Sequence, residues 1–236
     1  MKANFINVVF VIDESGSMTG TEKDVIGGFK KVVDEQKSNT NGSCSVSYFK
    51  FASEVEEVFI GKDVNDVEYI DGKYLPGGMT ALFDGVGVAI DKVGKWLNSM
   101  KEEDKPEKTM VVIMTDGGEN FSKEYSASKV KDMIKHQEEK YNWTFVYMGS
   151  DLTDANDANT LHFSTRSFSS KKDYSKNYDI INSAVSCYRN TVGDSSVKSA
   201  AFATVLNSET HNLTEEYAAA TGIDINSLNA DNVKNA

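Results

Sequence analysis

The sequence predicts an α/β protein: a doubly wound, Rossmann-like, mostly parallel sheet with helices on both faces and one antiparallel edge strand. Three observations predict it. Two short runs, within Val8–Ile12 and Thr109–Thr115, are apolar almost without a break and rich in β-branched residues, as in strands buried on both faces of a parallel sheet. Segments with apolar residues at helical spacing lie between and after them, so strand and helix alternate along the chain. Each run stops at an aspartate, Asp13 or Asp116, followed by a glycine-bearing loop, and the carboxyl ends of such strands are where open α/β sheets bind ligands.

The elements follow in order. After Asp13, the side chains of Ser15 and Ser17 add oxygen at alternate positions, and Gly16 with Met18-Thr19-Gly20 marks a tight turn. Thr21–Asp24 has the spacing of a capping box with Asp in place of Glu. Val25, Phe29, Val32, Val33 and Gln36 then share one helical face. Gly27-Gly28 costs that helix about 1 kcal/mol per glycine, which close packing on the sheet would explain. A turn at Asn39–Gly42 leads to a second strand, Ser43–Ala52, and the short Ser53-Glu54 turn to a third, Val55–Ile60. Strands joined this tightly must be antiparallel, which places the hairpin at a sheet edge. Residues 61–75 read as irregular, and Leu75–Thr80 as a turn before a helix over Ala81–Met100, with Thr80 at the N-terminus where threonine often caps.

The charge run Lys101–Lys108 reads as a solvated loop. Beyond the strand at Thr109–Thr115, a helix is expected over Tyr125–Tyr141, a strand over Trp143–Met148, a polar helix over 151–161 and a short strand over Leu161–Thr165. Ser170–Asp173 caps a helix carrying Tyr174, Tyr178, Ile181, Val185 and Tyr188 on one stripe. From Thr191 the character changes. Gly193–Ser196 reads as a turn or linker, Val197–Leu206 and Thr214–Thr221 as short helices, and the tail from Gly222 is rich in Asn and Asp. The chain thus divides into a domain over 1–191 and an extension over 192–236 that is helical or partly disordered.

Composition narrows the function. The 236 residues carry a net charge of −11, which repels phosphate backbones and argues against nucleic acid, while an acidic surface still concentrates divalent cations. No stretch approaches the length of a transmembrane helix, and the N-terminus lacks the pattern of a signal peptide. Cys44 and Cys187 are the only cysteines; two isolated thiols fit a reducing, cytoplasmic setting and no structural zinc. His136, His162 and His211 share no motif.

The oxygen-bearing residues fall in three loops: Asp13, Ser15 and Ser17; then Thr80; then Asp116. Such hard donors suit Mg²⁺ or Ca²⁺ better than zinc. Asp13-Glu14-Ser15-Gly16-Ser17 matches the D-x-S-x-S signature of the von Willebrand factor A domain. Thr80 in Gly77-Gly78-Met79-Thr80, and Thr115-Asp116-Gly117, match that family's second and third elements. The chain therefore resembles a von Willebrand factor A domain over about residues 4–190, in the manner of compact intracellular bacterial or phage proteins, with the three parts of a metal-ion-dependent adhesion site.

The resemblance implies that Ser15, Ser17 and Thr80 ligate a cation directly, and that Asp13 and Asp116 act mainly through waters and hydrogen bonds to the serines. The cation is expected to be Mg²⁺, with Mn²⁺ or Ca²⁺ as alternatives. The expected partner is a protein supplying an Asp or Glu carboxylate, and no residue is assigned a catalytic role. Two other readings compete: a Mg²⁺-dependent phosphoester hydrolase, against which stands the lack of a phosphate loop, and a scaffold with a structural metal that works through its extension. Glu14 is expected to point away from the loop centre, and Glu119 and Asn120 to be solvated surface.

Overall fold

The computed structural model describes residues 1–149, 160, 161, 163, 165–168 and 174–221. Its strands are β1 (Lys2–Asp13), β2 (Ser43–Phe51), β3 (Val55–Asp63), β4 (Pro106–Met114), β5 (Thr144–Gly149) and β6 (Thr165–Phe168). They form one sheet in the order β3-β2-β1-β4-β5-β6. All neighbours are parallel except β2 and β3, whose antiparallel pairing puts β3 at the edge. The helices are α1 (Glu22–Ser38), α2 (Leu82–Ser99), α3 (Ala127–Tyr141), α4 (Tyr174–Asn190) and α5 (Ser195–Thr221).

Strand alternation sorts the core into two layers. On β1, Ile6, Val8, Phe10 and Ile12 pack with Phe29 and Val32 of α1 and with Tyr178 and Ile181 of α4. Val9 and Val11 face the other way and pack with Leu82, Val86 and Ile90 of α2 and Val130 and Ile134 of α3. A strand buried on both faces cannot alternate polar with apolar, which is why the run reads as unbroken in the sequence. β1 and β4 are neighbours, with Ile12 paired to Met114, so Asp13 and Asp116 arrive at the same carboxyl edge. The direction reverses there, since the chain passes to β2 on one side of β1 and to β4 on the other.

Gly28, but not Gly27, is explained by close approach. A Cβ on Gly28 would lie 1.9 Å from Tyr178 Cδ2, whereas one on Gly27 meets nothing within 4 Å. The close packing is of α1 on α4 rather than on the sheet.

Several local expectations are corrected. The Thr21 hydroxyl donates back to Met18 O at 2.7 Å and does not cap α1, so the capping box does not form. Pro106–Lys108 belongs to β4, not to a solvated loop, and Lys108 is buried with its Nζ donating to Asn142 O at 2.8 Å. This places the cation at the C-terminus of α3, where the helix dipole favours it, although burial still pulls its amine down to about 8. β6 begins at Thr165, where the expected strand ended. The polar helix expected over 151–161 and the cap at 170–173 lie outside the described residues, apart from 160 and 161, which are helical. The two short helices expected after residue 196 are one helix, α5, whose Phe202, Leu206 and Leu213 join the same core layer as α1 and α4.

Candidate metal centre

The first and third loops leave the carboxyl ends of β1 and β4, the second comes back to that edge from β3 before α2, and each is fastened to the others. Asp13 ends β1 and is fully buried. Its Oδ1 accepts from Ser15 N at 2.6 Å, and its Oδ2 accepts from the Thr115 hydroxyl at 2.6 Å. The Tyr74 hydroxyl donates to Asp13 O at 2.6 Å, fixing the backbone beneath. Burial pushes the Asp13 carboxyl up to about 6, against the lowering effect of the Thr115 and Ser15 hydrogen bonds. An ionised carboxylate in this position is thus poorly compensated, and a nearby cation would stabilise it.

Ser15 and Ser17 bring their hydroxyls together, Oγ to Oγ at 2.9 Å. Between them, Gly16 N donates to Gly78 O at 3.1 Å, and Gly77 N donates to Glu14 O at 2.8 Å. The first loop and the second therefore run side by side. The Glu14 side chain turns elsewhere, as expected, accepting from Lys50 Nζ at 3.2 Å and from Leu75 N at 2.5 Å.

Thr80 does not cap α2, contrary to the simplest reading of its position. The helix begins at Leu82 after Ala81, which has no capping side chain. The cap comes from the third loop instead. Glu119 Oε2 accepts from Phe83 N at 3.0 Å, and Ser122 Oγ accepts from Asp84 N at 3.1 Å. Glu119 also accepts from Phe121 N, Ser122 N and Ser122 Oγ at 2.6–2.8 Å. Asp84 answers by accepting from Lys123 N, Glu124 N and Tyr125 N at 2.8–3.0 Å. Asn120 closes the clasp, its Oδ1 accepting from Thr80 N at 3.0 Å while its own N–H donates to Thr80 O at 3.0 Å.

Glu119 and Asn120 are therefore not merely solvated surface: they weld the loop bearing Thr80 to the loop bearing Asp116. The sequence held no signal for this, because Thr80 stood just before the helix as an apparent cap, and only the structure shows the helix starting one residue later at Leu82.

The loops converge at Gly117. A Cβ built there would lie 3.0 Å from Ser17 Oγ and 3.4 Å from Thr80 Oγ1. Asp116 beside it is buried. The structure thus brings Ser17, Thr80 and the Asp116-Gly117 turn to one place, with Ser15 on Ser17 and Asp13 behind Ser15. All five sequence-predicted residues lie in this cluster. The donor set is oxygen only, with three neutral hydroxyls and two carboxylates, and fits a hard divalent cation. Among the described residues no group of three or more His, Cys, Asp or Glu side chains gathers as a metal site, and this centre is built largely on hydroxyls instead.

This fold and arrangement define a class. The von Willebrand factor type A domain profile matches residues 7–186, and the chain belongs to that family. Solved structures agree on the fold. Proximal thread matrix protein 1 from the mussel byssus superposes with a TM-score of 0.58 at 21% identity, over 78% of this chain and 46% of that one. A second structure of the byssus protein, described as having a zinc-occupied metal-ion-dependent adhesion motif, gives 0.52 at 18% identity, over 78% of this chain and 46% of that one. The von Willebrand factor domain of the type V pili tip protein Mfa5 from Porphyromonas gingivalis gives 0.59 at 12% identity, over 80% of this chain and 97% of that domain. The chain spans less than half the length of the byssus protein. A search of curated proteins matched nothing. No described helix is long and apolar enough to cross a membrane.

Proposed function

We propose that the protein is a non-enzymatic, metal-dependent interaction module that captures an Asp or Glu side chain of a protein partner. The observation that carries this reading is the convergence at Gly117, where Ser17 Oγ and Thr80 Oγ1 approach one point from two loops. Ser15, Ser17 and Thr80 would hold the cation through their hydroxyls, with Asp13 and Asp116 behind them. Neutral hydroxyls leave most of a cation's charge uncompensated, and a bound divalent cation would supply an electrophilic position for a carboxylate oxygen from outside. Mg²⁺ suits it best, with Mn²⁺ or Ca²⁺ as alternatives; the zinc named in the byssus structure adds a third to test.

The family's role as interaction modules supports the partner reading, and the buried Asp13 supports the cation. Residues 192–236 are read as an extension of the domain, and the location as cytoplasmic, supported by two free thiols; fractionation of the native host tests the latter. The functional test is capture of a partner by tagged protein in Mg²⁺, in EDTA, and by Asp13→Ala. Capture lost in both of the latter supports the reading. Capture that survives both would sink it.

A further inference from the structure

Resting on the reading of the site as a carboxylate-capturing centre, we propose that its partner presents one Asp or Glu set among large apolar residues, which pack on Leu75 and Met79, rather than an acidic run. Leu75 is 72% exposed and Met79 45%. Both lie on the loop that ends at Thr80, and that loop is not loose. Leu75 N donates to Glu14 Oε1, Met79 N donates to Ser53 Oγ at 3.0 Å, and Gly78 O accepts from Gly16 N between the two candidate ligand serines. Two large apolar side chains are thus held out to water on a fastened backbone, alongside the first ligand loop. Apolar surface on a pre-organised loop is buried on contact with little loop entropy to lose.

Charge selects the rest of the partner. The chain carries −11 overall, so a polyacidic segment meets repulsion from the whole protein. Close to the site three of the acids are already engaged. Glu14, Asp84 and Glu119 turn their carboxylates inward onto Lys50 and backbone N–H groups. Lys123, on the third loop, is exposed and stands 4.1 Å from the Phe121 ring centroid. A bound divalent cation would offset one incoming carboxylate there, and apolar neighbours add contact without adding charge.

The test is an array of immobilised nonapeptides, each with a central Asp or Glu and with neighbours that are Leu/Met/Phe, Ser/Gly or Asp/Glu. The full chain is applied in Mg²⁺ and in EDTA. The expected result is Mg²⁺-dependent binding to the apolar-flanked set that is about tenfold tighter than to the other two. Leu75→Ser and Met79→Ser should each reduce that preference while Mg²⁺ affinity, measured by calorimetry, stays unchanged. Equal binding of the three sets, or a preference intact in both variants, overturns the proposal and leaves the metal-centre reading standing. No Mg²⁺-dependent binding to any peptide overturns that reading and the proposal with it.

Discussion

The Thr115 hydroxyl donates to Asp13 Oδ2 at 2.6 Å across 102 residues of sequence, and so ties the ends of the two central strands through their side chains. The same hydroxyl stands 3.2 Å from Gly117 N, which donates to it. Thr115 therefore sets Asp13 against the turn that carries Asp116. Replacement by valine keeps the shape and removes the donor. We expect Thr115→Val to lower stability by about 1–2 kcal/mol and Mg²⁺ affinity by about tenfold, as for other residues that orient ligands. Chemical denaturation and calorimetric titration check the two effects separately.

The raised Asp13 carboxyl gives a pH dependence. Its folded value, about 6, lies above the unfolded value of about 3.9, so between these limits the folded state binds more protons than the unfolded. In EDTA the Asp13 contribution therefore favours folding most at low pH and is lost as pH rises toward 6, by up to about 3 kcal/mol. Above that window its contribution is flat. Asp13→Asn should remove this component, visible as the difference between wild-type and variant unfolding curves across pH 4–7. Mg²⁺ acts in the opposite sense, because it favours the ionised form, so its stabilising effect should grow as pH rises through the same window.

Glu119 offers a test of the clasp between the second and third loops. Glu119→Ala removes an acceptor shared by Phe83 N, Phe121 N and Ser122, and should cost about 2–3 kcal/mol of stability. Asn120→Ala removes only the side-chain acceptor of Thr80 N, and should cost about 1 kcal/mol. Both variants should weaken Mg²⁺ binding, because both loosen the fastening of the Thr80 loop to the loop of Asp116, leaving the backbone bonds from Asn120 N and Phe121 N to Thr80 O. An Asn120→Ala protein with wild-type Mg²⁺ affinity would show that the clasp is structural only.

Gly117→Ala places a methyl group 3.0 Å from Ser17 Oγ and 3.4 Å from Thr80 Oγ1. We expect Mg²⁺ affinity to fall by about 10–100-fold, with a stability change below about 1 kcal/mol in EDTA, since the methyl enters the centre rather than the core. Thermal melts with and without Mg²⁺ read both.

How much of this was legible follows the range of each interaction. The doubly wound sheet was legible because a strand buried on both faces writes itself as a continuous apolar run, and Val8–Ile12 and Met110–Met114 do so. Asp13, Ser15, Ser17 and Asp116 were legible because their loops begin where such a run stops, whereas Thr80, reached through the irregular stretch after β3, was legible only through the resemblance to the family's second element. The clasp was not, because Glu119 and Asn120 act on Phe83 and Thr80 some 40 residues away, and nothing local marks an acceptor for a distant N–H. The Thr21 capping box failed for a related reason: Thr21 has helical backbone angles and its hydroxyl turns back to donate to Met18 O, so its oxygen accepts from no N–H of α1. Lys108 looked like part of a solvated charge run until the end of α3 covered it. The continuity of α5 was hidden because its hydrophobic pattern is weak, and only packing of Phe202, Leu206 and Leu213 shows which face is inward.

One cation held jointly by three loops is what calorimetric titration of Mg²⁺ into the metal-stripped protein tests most directly. We expect a single site in the wild type, lost in Asp13→Ala and weakened at least about tenfold in Thr80→Val, although these residues come from different loops. Equal Mg²⁺ binding by wild type, Asp13→Ala and Thr80→Val, or none by the wild type, would contradict it.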